Sequence, residues 1–236
     1  MTDKDDRVEA DSRANAARER LLQAAVQMVG ESGVSGVSLR GIGTAAGQKN
    51  NSAVAYHFRG KAGLMNAIVA ELRDFLEPRY DVLFGELESR SEGMLTMYEV
   101  ALAIAAPLFA LYLSKPRGES ALKTLAKFLH ERPQGIDEGY WDALRKLVAR
   151  GIGLVLKVRP ATPADHASLH VTHALKSTAD GLAMLHNWPI AESRHDPELM
   201  FELLLIHADF LAGGLSADDA SRPGIDVGYW KACIVS

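Results

Sequence analysis

Between Ser38 and Lys61 the sequence SLRGIGTAAGQKNNSAVAYHFRGK gathers residue types that read nucleic acid. Arg40, Asn50 and Asn51 carry side chains whose donor and acceptor pairs match base edges in the major groove of DNA. Lys49 and Lys61 carry charges suited to phosphate oxygens, contacts that hold a protein in register without reading sequence. Ser52, Ala55 and Tyr56 are expected to share the outward face of this segment. These residues act together only if two short helices cross at a tight turn. Ser38 predicts the start of the first, since its hydroxyl can accept an orphan N–H of the opening turn. Ile42, Ala45 and Ala46 give that helix one apolar face. Gly47 marks its end, where a left-handed conformation costs glycine nothing. A second helix is expected over Ser52–Phe58, with Val54 and Phe58 four residues apart and turned back toward Ile42. Gly41 and Gly43 each weaken the first helix by about 1 kcal/mol relative to Ala, so it must lean on tertiary packing.

The chain here resembles the TetR family of transcriptional regulators. The likeness covers about fifty residues, from the helix before Ser38 to the helix after Lys61. It is carried by Ala45-Ala46-Gly47, by Tyr56-His57-Phe58 and by Lys61 opening the next helix. The resemblance implies that Asn50 to His57 form a recognition helix, that Arg40 lies near the groove, and that Tyr56, His57 and Lys61 lie near phosphates. It also implies a homodimer on a palindromic operator, regulated by a small-molecule effector. Two features depart from the common pattern. The turn is one residue longer, and Ala55 stands where many relatives carry an aromatic phosphate contact.

The charge distribution agrees with such a division of labour. The 236-residue chain has a net charge of −4. From Ser12 to Gly63, however, seven basic residues face two acidic ones, so the acidity lies elsewhere. A basic module on an acidic body is the electrostatic footprint of a nucleic-acid reader with a separate second domain. Arg13, Arg18 and Arg20 could reach DNA backbone from the helix before the turn.

The predicted fold class is all-α. Residues 1–11 are expected to be a disordered acidic leader, 12–60 the helix-turn-helix domain, 61–215 a helical regulatory and dimerisation domain, and 216–236 a C-terminal tail. Periodicity predicts helices over Ser12–Glu31, Lys61–Leu76 (ended or bent by Pro78), Met94–Leu113, Glu119–Glu131, Asp137–Val158, Pro163–Trp188 and Pro197–Leu211, the last closed by Gly213-Gly214. Val100 to Leu113 has almost no polar side and contains Pro107. It must be covered all round, and an imperfectly packed bend is a plausible cavity. Phe109, Tyr112 and Phe128 are the expected lining, and a small hydrophobic or aromatic effector the expected occupant. Leu175, Leu182, Leu185, Leu203, Leu204 and Phe210 are expected to form a four-helix contact between subunits.

Several alternatives carry less weight. His166, His170 and His173 share a helix face, but a straight helix separates the outer pair by about 10 Å, too far for one ion. They are expected to be surface residues, and no metal or other cofactor is expected. There is no phosphate loop, paired-cysteine motif, nucleophile elbow or HExxH, so the chain is not expected to be an enzyme. The rival reading is an all-helical enzyme or small-molecule carrier with a vestigial helix-turn-helix. The single cysteine, Cys233, excludes an internal disulfide and fits a cytoplasmic protein. The longest apolar run is too short to span a bilayer, so no membrane partner is expected. GIDEGYW (135–141) recurs as GIDVGYW (224–230), and docking of the second copy on the body through Tyr229 and Trp230 is one reading of it.

Overall fold

A computed structural model describes residues 2–48, 53–189 and 191–216. Nine α-helices occur among them: α1 Thr2–Ser32, α2 Leu39–Ala45, α3 Ala53–Phe58, α4 Lys61–Ser89, α5 Met97–Leu113, α6 Gly118–Glu131, α7 Glu138–Val158, α8 Ala164–Ala183 and α9 Pro197–Ser216. Two 3-10 turns, Leu185–Asn187 and Ala191–Ser193, join α8 to α9. No strand occurs among the described residues. The protein is all-α.

Local chemistry explains most boundaries. Ser38 Oγ accepts from the Gly41 amide at 3.0 Å and caps α2. Asp137 Oδ1 accepts from the Gly139 amide at 2.8 Å and caps α7. Thr96 and Glu99 form a reciprocal capping box at the start of α5. That T-x-x-E signature was visible in the sequence, and the expected start at Met94 overlooks it.

Three expected breaks do not occur. Residues 2–11 are helical and continue into α1. From Thr2 to Gly30 no proline or glycine interrupts the run, and its Ala, Arg and Glu are strong helix formers. Pro78 lies inside α4 rather than ending it. Arg79 Nη1 donates to the Phe75 carbonyl at 2.6 Å, supporting the turn where proline disturbs the backbone ladder. Gly213 and Gly214 lie inside α9, which runs to Ser216.

The body is built around α5. Val100, Ala101, Ile104 and Ala105 are buried on it, and α4, α6, α7, α8 and α9 all pack against it. This is the all-round cover that its apolarity requires. The head is α1–α3 with the start of α4. Its core joins Leu22, Val26, Ile42, Val54, Phe58 and Leu64, all buried.

Candidate DNA-binding surface and effector cavity

The head holds α3 by its inner face. Val54 and Phe58 are buried, while Ala55 and Tyr56 face outward and Tyr56 is 81% exposed. His57 is half-buried and meets Tyr56 edge-on, ring centroids 5.0 Å apart. Arg40 is exposed on α2, and its carbonyl accepts from Thr44 Oγ1 at 3.0 Å. Gly47 adopts φ +68°, as a left-handed helix end requires. Lys49, Asn50, Asn51 and Ser52 lie outside the described residues.

The reversal from α3 into α4 uses two successive positive-φ residues, Arg59 at 57° and Gly60 at 106°. Arg59 holds a conformation uncommon for residues with a Cβ. Gly63 permits the tight approach that follows, since a Cβ there would overlap the Phe58 carbonyl oxygen. Neither constraint was anticipated, and only the G-K-x-G spacing hinted at one. Lys61 Nζ donates to the Val37 carbonyl at 2.8 Å, tying α4 to the loop before α2. Arg18 on α1 places its guanidinium 5.0 Å from the Phe58 ring centre.

The head is bonded to the body at several points. Thr124 Oγ1 on α6, fully buried, donates to the Val26 carbonyl on α1 at 2.7 Å. Glu131 Oε2 accepts from the Val34 amide at 3.0 Å. Arg117 pairs with Glu19 at 2.9 Å and with Glu71. Partial burial nevertheless raises the Glu71 carboxyl above its ordinary range, because desolvation outweighs the attraction of Arg117. Asn66 on α4 uses both ends of its amide, donating to the Gly135 carbonyl at 3.2 Å and accepting from the Asp137 amide at 2.8 Å. The first GIDEGYW copy is thus the seam between α4 and α7. The second copy, with Cys233, lies outside the described residues.

A cavity of about 260 Å³ opens between α4, α5, α6, α7 and α8. Its walls are Leu72, Leu76 and Tyr80 of α4, Leu108 of α5, Leu125 and Leu129 of α6, Tyr140, Ala143, Leu144 and Leu147 of α7, and Leu175 of α8. Tyr80 donates its hydroxyl to the Ile104 carbonyl at 3.1 Å, and burial pushes that phenol above its ordinary range. Charged groups also border the cavity: Arg73, Glu77, Asp81, Lys146 and Arg150.

The cavity touches α5 only at Leu108 and not at Pro107 itself, and Phe109, Tyr112 and Phe128 do not line it. Phe128 is fully buried in the core. Tyr112 stacks on His195, centroids 5.6 Å apart, and burial raises its phenol to about 12. Phe109 faces α9, 6.1 Å from the His207 ring. On each helix a near neighbour lines the space instead, Leu108 on α5 and Leu125 and Leu129 on α6. One residue is about 100° of helix rotation, and an all-apolar stretch gives periodicity no means of choosing that angle.

The α8–α9 face also differs from expectation. Leu175, Leu182, Leu185 and Leu204 are buried within the subunit, and Leu203 is half-buried. Phe201, Ile206 and Phe210 are exposed, Phe210 by 70%. By length and composition α9 could cross a membrane, with 22% of its apolar window buried in the subunit. Its Glu198, Glu202 and Asp209 suit an aqueous setting better. His166 and His173 are exposed on α8, and no group of three potential metal ligands occurs among the described residues.

No family model matches the chain, and no curated protein does. Solved structures do. A protein from Rhodococcus sp. assigned to the TetR family of transcriptional regulators has 14% identity and a TM-score of 0.48, over 83% of this chain and 98% of that one. NalD of Pseudomonas aeruginosa, the secondary repressor of the MexAB-OprM multidrug efflux pump, has 20% identity and a TM-score of 0.46, over 85% and 97%. A protein solved for the molecular basis of control of antibiotic production by bacterial hormones has 15% identity and a TM-score of 0.49, over 82% and 96%. These are likenesses of fold.

Proposed function

We propose that this chain is a DNA-binding transcriptional regulator, a cytoplasmic repressor that binds a palindromic operator as a homodimer and responds to a small effector. One observation carries the reading. The outward face of α3, bearing Ala55 and Tyr56, stands off a buried wedge of Ile42, Val54 and Phe58, within a segment far more basic than the remainder. A short helix pinned by its inner face and offering a polar outer face is suited to the major groove. Arg40, Tyr56, His57 and Lys61 are the proposed contacts among the described residues, joined by Lys49, Asn50, Asn51 and Ser52. The role is one of binding rather than catalysis.

The α4–α8 cavity is the proposed effector site. It replaces Phe109, Tyr112 and Phe128 as the lining. Helix α4 runs from the head at Lys61 to the cavity at Leu72–Asp81, so a ligand that favours one α4 position over another shifts the head. The outward residues of α8 and α9 are the proposed subunit contact, covering apolar surface that a soluble monomer would expose.

The test is a mobility shift with DNA flanking the gene. A shifted band that resists nonspecific competitor, and is lost when Arg40 and Tyr56 are both changed to Ala, is the expected result. Equal binding to any duplex, unaffected by those changes, would overturn the reading.

A further inference from the structure

The cavity between α4 and α8 is apolar in its walls, and the charged side chains at its edge differ in how far they are already engaged. Arg150 is committed: it bonds Asp81 at 2.5 Å and Glu88 at 2.8 Å, and lies over the Phe84 ring at 5.4 Å. Asp81 and Glu88 share its one charge. Glu77 is held by Arg73 at 3.8 Å, and Arg73 also reaches Asp74 at 3.5 Å, both loose contacts. Lys146, on the α7 turn that also carries Ala143 and Leu147 into the wall, makes no ion pair or hydrogen bond to any described residue. Both lining arginines are therefore shared among carboxylates, and Lys146 is the cation of the lining with no described partner. Tyr80, the hydroxyl deepest in burial, is spent on the Ile104 carbonyl. The interior thus offers a ligand apolar contact, while the edge offers it an ammonium with three free donors.

From this we propose that the effector is an amphipathic anion, an apolar tail or ring system ending in one carboxylate or similar group. The tail fills the space among Leu72, Leu76, Leu125, Leu144 and Leu147, and the head group pairs with Lys146. The proposal rests on the reading of this cavity as the effector site. A neutral apolar compound leaves Lys146 unused, and a cation meets it with repulsion. Because Lys146 is exposed, its contact adds selectivity rather than most of the affinity, which comes from burying the tail.

Three probes with one tail separate the cases: decanoate, decan-1-ol and decylamine, titrated into the full-length protein by calorimetry near neutral pH. Decanoate is expected to bind about fivefold more tightly than decanol, the size of one solvent-screened charge contact. Lys146→Gln should bring the two within about twofold of each other without weakening decanol. Leu144→Trp, which fills the cavity, should abolish binding of both; Ala143→Phe serves the same purpose if the first variant melts early. Decanol binding as well as decanoate, or decylamine binding best, would overturn the anion while leaving the cavity as the effector site. Binding of all three that survives the filled cavity would overturn the location. Absence of binding by all three would remove the cavity itself from the proposed function.

Discussion

The Lys61 ammonium donates to the Val37 carbonyl at 2.8 Å, across 24 residues of sequence. The first residue of α4 thereby holds the loop that launches α2, the helix that carries the exposed Arg40. Lys61 is expected as a phosphate ligand and is seen holding this loop, and the two roles are separable. One donor is used and two are free. Lys61→Gln should lower stability by about 1 kcal/mol through the lost hydrogen bond, seen as an earlier denaturant midpoint. If the remaining donors also meet a phosphate, the slope of log K against log salt should fall in magnitude by about 0.9. An unchanged slope with reduced stability would leave Lys61 with the positioning role alone.

Tyr56 presents the opposite case. At 81% exposure it contributes little to the head's core, so Tyr56→Ala should shift stability by less than about 0.5 kcal/mol. If its ring and hydroxyl pack on DNA, the same change should weaken binding at least several-fold in fluorescence anisotropy. Retained affinity would take Tyr56 off the interface.

The capping box of α5 offers a test of the body alone. Thr96 Oγ1 accepts from the Glu99 amide at 3.2 Å, and Glu99 Oε2 accepts from the Thr96 amide at 2.9 Å. These bonds with Thr96, and the Arg90 side chain, hold the Glu99 carboxyl below its ordinary range. Thr96→Ala should cost about 1 kcal/mol at neutral pH. Since the folded pKa is depressed, Glu99's contribution is present above its unfolded value, about 4.3, and is lost as pH falls through the folded value. Thr96→Ala should therefore flatten the acid limb of a melting-temperature profile. A parallel displacement of the whole curve would contradict this account of Glu99.

What the sequence made legible was local. Ser38, Gly47 and Asp137 act within a few residues of themselves, so their caps could be read directly. Gly213-Gly214 misled, and of the two outcomes expected at Pro78 the helix end does not occur, because a long helix packed along its length tolerates an interior fault that would end an isolated one. Apolar content could not assign direction. Leu175 and Leu204 were expected between subunits and instead serve their own core, while Phe201 and Ile206 face outward unannounced. The polar links between head and body, such as Asn66 with Gly135 and Asp137, join residues about 70 apart and have no periodic signature.

His207 on α9 shows how pH should act on the body. Its Nε2 lies 2.8 Å from Thr178 Oγ1, and that hydroxyl donates to the Ala174 carbonyl at 2.7 Å, so the neutral ring donates its N–H to Thr178. Burial lowers its pKa from the ordinary 6.5. A depressed folded pKa means that stability is fully present above about 6.5 and is lost as pH falls through the folded value. His207→Gln, which keeps a donor and cannot ionise, should remove that loss from the melting profile below about pH 6.5. An identical profile in the variant would assign the acid sensitivity elsewhere.

The outward face of α9 yields the prediction on assembly. Phe201, Ile206 and Phe210 project from it, and a groove lined by Phe109, Leu185, Trp188, Leu203, Ile206 and Phe210 continues the apolar surface between α8 and α9. A second copy related by a two-fold axis would cover this surface with its own, since a self-complementary patch closes on itself. Burial of several large side chains per subunit, at roughly 25 cal/mol per Å² of apolar area, favours association, although loss of rotational and translational freedom offsets much of it. Phe210→Glu should therefore convert a dimer to a monomer at micromolar concentration in sedimentation velocity. The side chain is 70% exposed in the subunit, so the circular dichroism of the monomer should remain that of a folded helical protein. Its affinity for a single half-operator should persist, while affinity for the full palindrome falls toward that of one head, because two linked heads bind with high effective concentration. A variant that remains dimeric would move the subunit contact away from α9, and a wild-type chain that sediments as a monomer would remove the dimer altogether.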